Sequence, residues 1–464
     1  VIFQQLVNEE SGCLSYVIGC GQAGAAVVVD PGRDRIGDYV ALARRKGLTI
    51  THVVETHLHA DHVSGNQALA SQTGATIYLH PAAEARFRHH PIEDGNEIRI
   101  GNVSLRVLHT PGHTPESICL LVTDTTRSVE PWFALTGDTL FVGDVGRPDF
   151  GGERAASDLF RSLRGRLLVL DDAVEVYPAH GAGSMCGRAM SSKTATTIGF
   201  ERRFNPAISG MDEESFVKAL LTNLPPKPPN FKAVIERNRS VAAVPRGEAP
   251  ALGALDVRML IDAGAVVLDV RESGEFGEGH IPGAINVWLE SPQFADRCGW
   301  FIPQDAEVVL VIAGPTDAAR AVAGLSRVGV DGVAGYLARG MTDWRSAGLP
   351  TASVRQITVH DLASWREERP ELVVVDVREP FEWAEGHIDR AMHLPMREAV
   401  RRAAELPAGR PKAVVCAGGL RSSTTISALA RAGIEGPWYN VAGGMTAWQK
   451  AGYSLVKKDP DGQS

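Results

Sequence analysis

At 464 residues the chain is too long for a single hydrophobic core, and the usual domain size of about 100–200 residues gives three units. With 44% hydrophobic and 22% charged residues the composition is that of an ordinary globular protein, and no run approaches the roughly 18 apolar residues of a membrane span, so no membrane role is expected. A net charge of −8 argues against nucleic acid, whose binding is driven by Lys and Arg neutralising phosphates.

The first residues, VIFQQLVNEE, lack the basic-then-apolar order of a secretory signal. The six cysteines (Cys13, Cys20, Cys119, Cys186, Cys298 and Cys416) are too sparse and irregular for a disulfide framework. Both observations predict a reducing, cytoplasmic setting in which free thiols do chemistry. Through the first 180 residues one arrangement recurs: an apolar run, then a histidine or aspartate. ITHVVE leads into THLHADH, with His57, His59, Asp61 and His62; VSLRVL into HTPGHT, with His113; PWFAL into TGDTLF, with Asp138; AVEV into YPAHG, with His180. Each run reads as a strand, so these side chains can converge on one rim of a sheet and hold metal. His52, His80, His89, His90 and His109 lack that placement and are expected at the surface or behind the ligands.

LPPKPPN, residues 224–230, is stiff and extended and reads as an interdomain connection. Beyond it the chain repeats at a period of about 100 residues, right for two copies of one small domain. LDVRESGEFGEGHIPGA at 268–284 matches VDVREPFEWAEGHIDRA at 375–391, and ARGMTDWRSAG at 338–348 matches AGGMTAWQKAG at 442–452. The apolar runs AVVLDV, AEVVLVI, LVVVDV and KAVVCA are continuous, as in parallel strands buried on both faces, and helical stretches such as SSTTISALARAG separate them. The predicted class is α/β, with sites at the carboxyl ends of the strands.

In the second copy Cys416 follows the strand KAVV and precedes a helix expected to begin around Ser422. The Gly-rich turn between them can aim backbone N–H groups at the sulfur, and Arg421 is the candidate cation favouring the thiolate. In the first copy IAGPTD (312–317) stands opposite CAGGLR (416–421). Ile312 replaces the nucleophile, Asp317 inverts the charge, and Pro315 removes an N–H donor, so this copy should be catalytically dead. Cys298, outside the loop, is read as structural.

The Cys-x4-Arg spacing, the DVRE start, the EGHI segment and the GGMTAW end resemble the rhodanese family of sulfurtransferases over about 356–456. The resemblance implies a persulfide on Cys416, with Arg421 helping to bind the anionic sulfur donor or acceptor. Residues 250–350 resemble a degenerate rhodanese. The HxHxDH motif with its later His, Asp and His resembles the metallo-β-lactamase superfamily, which implies an αββα sandwich over 1–224, with 225–249 as connection. In hydrolases of the glyoxalase II type all seven positions hold two metals. In the persulfide dioxygenases only the positions of His57, His113 and Asp138 do, a two-His, one-carboxylate set suited to non-haem Fe(II), one per chain. His59, Asp61, His62 and His180 would then be supports or second-metal positions.

GRPDF (146–150) resembles the GR-x-DF segment of the dioxygenases and makes Arg147 and Asp149 candidate substrate supports. Cys186, six residues after His180, reads either as a small residue in a tight turn or as a thiol near the iron. A cysteine there resembles three-part fusions of dioxygenase, degenerate rhodanese and active rhodanese, whose order the whole chain follows. The implied function is oxidation of a low-molecular-weight persulfide by O2 to sulfite, with transfer of sulfur through Cys416 to give thiosulfate, as in sulfide detoxification. The degenerate copy is expected to act as a spacer or as a contact in a homo-oligomer. The rivals are a glyoxalase II-like dinuclear zinc thioesterase fused to a sulfurtransferase, and a persulfide-sensing or sulfur-carrier protein.

Overall fold

The computed structural model describes residues 1–148, 151–182, 184, 187, 190–222, 224, 227–241, 249–291 and 293–457. One compact unit comprises Val1–Val244 and Ser326–Gly329, the other Pro245–Leu325 and Val330–Ser464. Among the described residues no helix is long and apolar enough to cross a membrane.

The first unit is built on two six-stranded sheets. In one, Ile2–Asn8, Cys13–Cys20 and Ala25–Val29 run antiparallel, and Thr49–Val54, Thr76–Leu79 and His90–Pro91 continue in parallel. The other has Phe133–Gly137 at its middle, parallel to Glu175–Pro178 and antiparallel to Ile118–Asp124, which pairs in turn with Val103–His109. The facing sides meet in one apolar core that includes Tyr16, Ile18, Val29, Leu105, Leu120 and Leu135. Helices Ile36–Arg45 and Asn66–Thr73 cover the outer face of the first sheet, and Gly152–Ser162 and Glu213–Leu221 that of the second. This is the αββα sandwich, and burial on both faces explains why its strands read as continuous apolar runs. The four strands expected to end in ligands are present, and their ends lead into the histidine and aspartate loops.

The stretch expected as a connection after 224 contains a helix, Phe231–Arg239, that belongs to this first unit. Its Asn238, buried, donates from Nδ2 to the carbonyls of His59 and His62, each at 2.8 Å, and accepts the Ser64 N–H at 2.8 Å. The proline cluster masks this helix in the sequence, because its amphipathic pattern spans only nine residues.

The second unit holds two five-stranded sheets of the same topology and all-parallel pairing. Val308–Val311 lies at the middle of one and Lys412–Val415 at the middle of the other. The repeated sequence segments do the same structural work twice. Arg271 pairs with Asp269 (Nε–Oδ1 2.9 Å) and reaches the Gly279 carbonyl; Arg378 pairs with Asp376 (Nη2–Oδ2 2.7 Å) and reaches the Gly386 carbonyl. These buried pairs tie a strand end to the turn before the next strand, so DVRE and EGH mark the fold in both copies. One apolar core runs through both, from Val257 and Val267 to Val375, Cys416 and Ile426.

Candidate functional site

His57, His113 and Asp138 come together in the first unit, each contributing one ligand atom, with all three atoms within 4.8 Å of one another. They arrive from three different strand ends and are almost wholly buried. Asp138 Oδ2 lies 3.7 Å from His57 Nε2 and 3.5 Å from His113 Nε2, and it is buried with no hydrogen-bond partner. The remote nitrogens are spoken for: His57 Nδ1 faces Thr56 Oγ1 at 2.9 Å, and His113 Nδ1–H donates to the Arg147 carbonyl at 2.8 Å. Anchoring one ring nitrogen fixes the tautomer and turns the other toward the shared space. Burial, followed by the neighbouring His59, holds His57 well below the usual histidine range, so its imidazole is neutral, the form that binds metal. An orphaned carboxylate oxygen facing two directed imidazole nitrogens fits one metal ion.

The other motif histidines are engaged differently. His59 Nε2 lies 3.3 Å from both Asp30 Oδ1 and Glu55 Oε2. Burial opposes its charge, but these two carboxylates outweigh it and raise His59 well above the ordinary range; its ring lies beside that of His57, with centroids 4.2 Å apart. His180 is held between carboxylates, with Nδ1 2.6 Å from Asp138 Oδ1 and Nε2 3.0 Å from Asp61 Oδ2. His62 Nδ1 sits 3.1 Å from Asp61 Oδ1, and Cys13 Sγ approaches Asp61 Oδ2 at 3.1 Å, so Cys13, Asp61, His62 and His180 form a second group. Arg147 is buried and serves the trio through its carbonyl; Asp149 and Cys186 lie outside the described residues.

Sequence reasoning missed Cys13, Asp30, Glu55 and Asn238. Glu55 stands directly before THLHADH and Asp30 closes the run AAVVVD, so a strand-end search for carboxylates would have reached both. Cys13 and Asn238 carry no local signal: they reach the site only through tertiary contact.

In the second unit Cys416, 1% exposed, follows Lys412–Val415, and the helix behind it starts at Leu420, two residues earlier than expected. Gly419 N–H donates to Cys416 Sγ at 3.1 Å, and Ser422 Oγ lies 3.5 Å from it. Gly419 has φ +96°, which lets the chain turn back over the sulfur. The repeated GGMTAW segment clamps the loop from behind. Met445 N–H donates to the Cys416 carbonyl at 2.8 Å, and any side chain at Gly444 would run into that carbonyl. Arg421 forms a bidentate pair with Glu382, at 2.6 and 2.7 Å. Burial works against the Glu382 charge, but Arg421 outweighs it and holds the carboxyl below its usual range. In the first copy the loop is closed by its own acid, Asp317 Oδ2 accepting the Gly314 N–H at 3.0 Å, and Cys298 is fully buried, with burial pushing its thiol pKa up.

Comparison with known proteins agrees with this division. Residues 9–180 match the metallo-beta-lactamase superfamily, and 254–347 and 358–451 each match the rhodanese-like domain. The human mitochondrial persulfide dioxygenase is 29% identical over 239 residues, 51% of this chain and 87% of that protein. A hydroxyacylglutathione hydrolase of Nitrosococcus oceani is 34% identical over 169 residues, 36% of this chain and 61% of that one. A crystal structure of a metallo-beta-lactamase from Staphylococcus aureus superposes with a TM-score of 0.65 at 33% identity, covering 72% of this chain and 98% of that one. The chain belongs to the metallo-beta-lactamase superfamily, in a fusion whose N-terminal metal-site domain is followed by two rhodanese-like domains.

Proposed function

We propose that the protein oxidises a low-molecular-weight thiol persulfide with O2 and couples this to sulfur transfer through Cys416, releasing thiosulfate. The observation that carries the first half is the convergence of His57, His113 and Asp138, whose ligand atoms lie within 4.8 Å of one another, with Asp138 Oδ2 unpaired and facing both Nε2 atoms. His59 Nε2 sits instead between Asp30 and Glu55, and His180 bridges Asp138 and Asp61 within the second group that includes Cys13 and His62. A ferrous ion held there by His57, His113 and Asp138 would supply redox activity toward O2 and a sulfur substrate. Thr56 and the Arg147 carbonyl keep the two imidazoles aimed, and His180 holds the second oxygen of Asp138 so that the carboxylate offers one. The net reaction is RSSH + O2 + H2O giving RSH, sulfite and two protons.

The second half rests on Cys416. Sulfite attacks the outer sulfur of a Cys416 persulfide, the S–S bond breaks, and its electron pair returns to Cys416 Sγ, where the Gly419 N–H stabilises the thiolate. Oxygen uptake by the iron-loaded protein against a panel of persulfides, with sulfite and thiosulfate measured separately, tests the reading. About one iron per chain with persulfide-dependent uptake is expected. Two zincs per chain and thioester hydrolysis would instead favour the rival reading, for which the Cys13, Asp61, His62 and His180 group offers second-metal ligands.

A further inference from the structure

The copy without a nucleophile separates residues that serve the fold from residues that serve sulfur transfer. The buried Asp–Arg pairs are kept in both copies, whereas Cys416, Gly419 and Arg421 stand opposite Ile312, Pro315 and Asp317. Strand register adds a further pair to the second set. Arg355–Ile357 and Trp438–Val441 are neighbouring parallel strands in which Gln356 lies opposite Asn440; the corresponding strands of the first copy, Ala251–Leu252 and Val333–Leu337, set Ala251 opposite Tyr336. A polar pair that is present with the nucleophile and absent without it points to the chemistry.

Asn440 is fully buried and lies opposite Val414, on the strand beside the one that leads into Cys416. Its Nδ2 donates to the Gly419 carbonyl at 3.1 Å and to Gln356 Oε1 at 2.7 Å. Gln356 Nε2 in turn donates to the Ser273 carbonyl of the first copy at 3.2 Å and to the Val354 carbonyl at 3.3 Å. Carbonyls only accept, so both amides are fixed in orientation by the backbone at either end of the chain of bonds. The first copy leaves room for Gln356: a methyl group on Gly277 would collide with Nε2 and stand 2.6 Å from the Val354 carbonyl, and the second copy has Ala384 at the equivalent position.

Asn440 Oδ1 is buried without a hydrogen-bond partner. An orphaned buried acceptor costs stability, so packing alone would favour an apolar side chain here. What the arrangement secures is residue 419. Gly419 holds φ +96° and its N–H donates to Cys416 Sγ at 3.1 Å; the bond to its own carbonyl restrains the left-handed turn that aims this N–H.

We propose that Asn440, braced by Gln356 and through it by the first copy, is a positioning residue of sulfur transfer, holding Gly419 so that the loop N–H stays on the Cys416 sulfur and favours its thiolate. This deepens the sulfurtransferase reading of Cys416 and rests on it. The thiolate is used twice: it attacks the outer sulfur of the donor persulfide and the donor thiolate leaves, and it departs with the S–S electron pair when sulfite takes that sulfur.

The test reads the thiol in the full chain. Alkylation of Cys416 by iodoacetamide, followed on its own peptide by mass spectrometry across pH, gives the midpoint of thiolate formation. Asn440→Ala should raise that midpoint by about one pH unit, a tenfold loss of thiolate below it, and Asn440→Ser, whose hydroxyl can still donate, should raise it less. Gln356→Leu and Gly277→Ala should shift it the same way by smaller amounts, because the bond to Gly419 is kept. In single-turnover reactions of protein preloaded with Cys416 persulfide, Asn440→Ala should lower the maximal rate of transfer to sulfite by about tenfold and leave the half-saturating sulfite concentration within about twofold, since Asn440 is buried behind the loop. An unchanged midpoint in folded Asn440→Ala or Asn440→Ser overturns the proposal, as does a loss confined to sulfite affinity. Where neither Asn440 variant folds, Gln356→Leu and Gly277→Ala carry the test, and a midpoint equal to the parent's in both overturns it. A parent protein that forms no thiosulfate, while Asn440→Ala still raises the Cys416 midpoint, refutes the proposed reaction and leaves the positioning role standing.

Discussion

Replacing Asn238 with alanine should loosen the metal-site loop without touching any candidate ligand. Asn238 lies on Phe231–Arg239, yet its side chain makes three hydrogen bonds to the backbone of residues 59–64, all at 2.8 Å, two of them fully buried. At about 1 kcal/mol net for each, the loss is about 3 kcal/mol, which in a unit of this size lowers Tm by about 6–12 °C. Two of the bonds hold the carbonyls of His59 and His62, in the loop that follows His57, so the effect passes to the site, and metal affinity should fall. Asn238→Asp should be at least as harmful, since it sets a carboxylate against two carbonyls. Thermal unfolding and competition with a chelator read the two effects. An Asn238→Ala protein with parental Tm and metal affinity would show that these bonds do not support the site.

His57→Ala should remove iron and abolish oxygen uptake, whereas His59→Ala should retain part of the metal and lose stability, because the buried Asp30 and Glu55 carboxyls are left without their histidine partner; equal metal loss in both would favour a dinuclear site. The Glu382 carboxyl is depressed in the folded state, so its pair with Arg421 stabilises fully above the unfolded value of about 4.3 and is lost as pH falls below it. Glu382→Gln should therefore flatten part of the acid limb in unfolding scans of the parent below about pH 5; identical limbs would contradict the pairing.

Much of the fold was legible because its signals are local. Strands buried on both faces appear as unbroken apolar runs, and ligands placed at strand ends appear as short motifs directly after them. The duplication was legible for the same reason: Asp269–Arg271 and Asp376–Arg378 are two residues apart in the chain and form the same pair in each copy. Such pairs serve the fold, so they survive in a copy that has lost its nucleophile, and the loop residues Ile312, Pro315 and Asp317, against Cys416, Gly419 and Arg421, distinguish the two chemically. What stayed hidden acts across the chain. Asn238 reaches back 179 residues to His59, and Asn286 of the first copy meets Ser423, behind the Cys416 loop, 137 residues later. Arg421 was legible as a cation, but its engagement by Glu382 was not, since an arginine's partner is fixed by packing and not by spacing.

At the centre of the proposed mechanism, two chemistries in separate domains share sulfite as a common intermediate. The decisive comparison supplies iron-loaded parent and Cys416→Ser proteins with persulfide and O2 and follows oxygen, sulfite and thiosulfate together. Cys416→Ser alters the transfer loop and none of the candidate metal ligands, so oxygen uptake should persist while sulfite accumulates where the parent makes thiosulfate. Thiosulfate formed by Cys416→Ser at the parental rate, after subtraction of the spontaneous reaction of sulfite with persulfide, would contradict the shared intermediate.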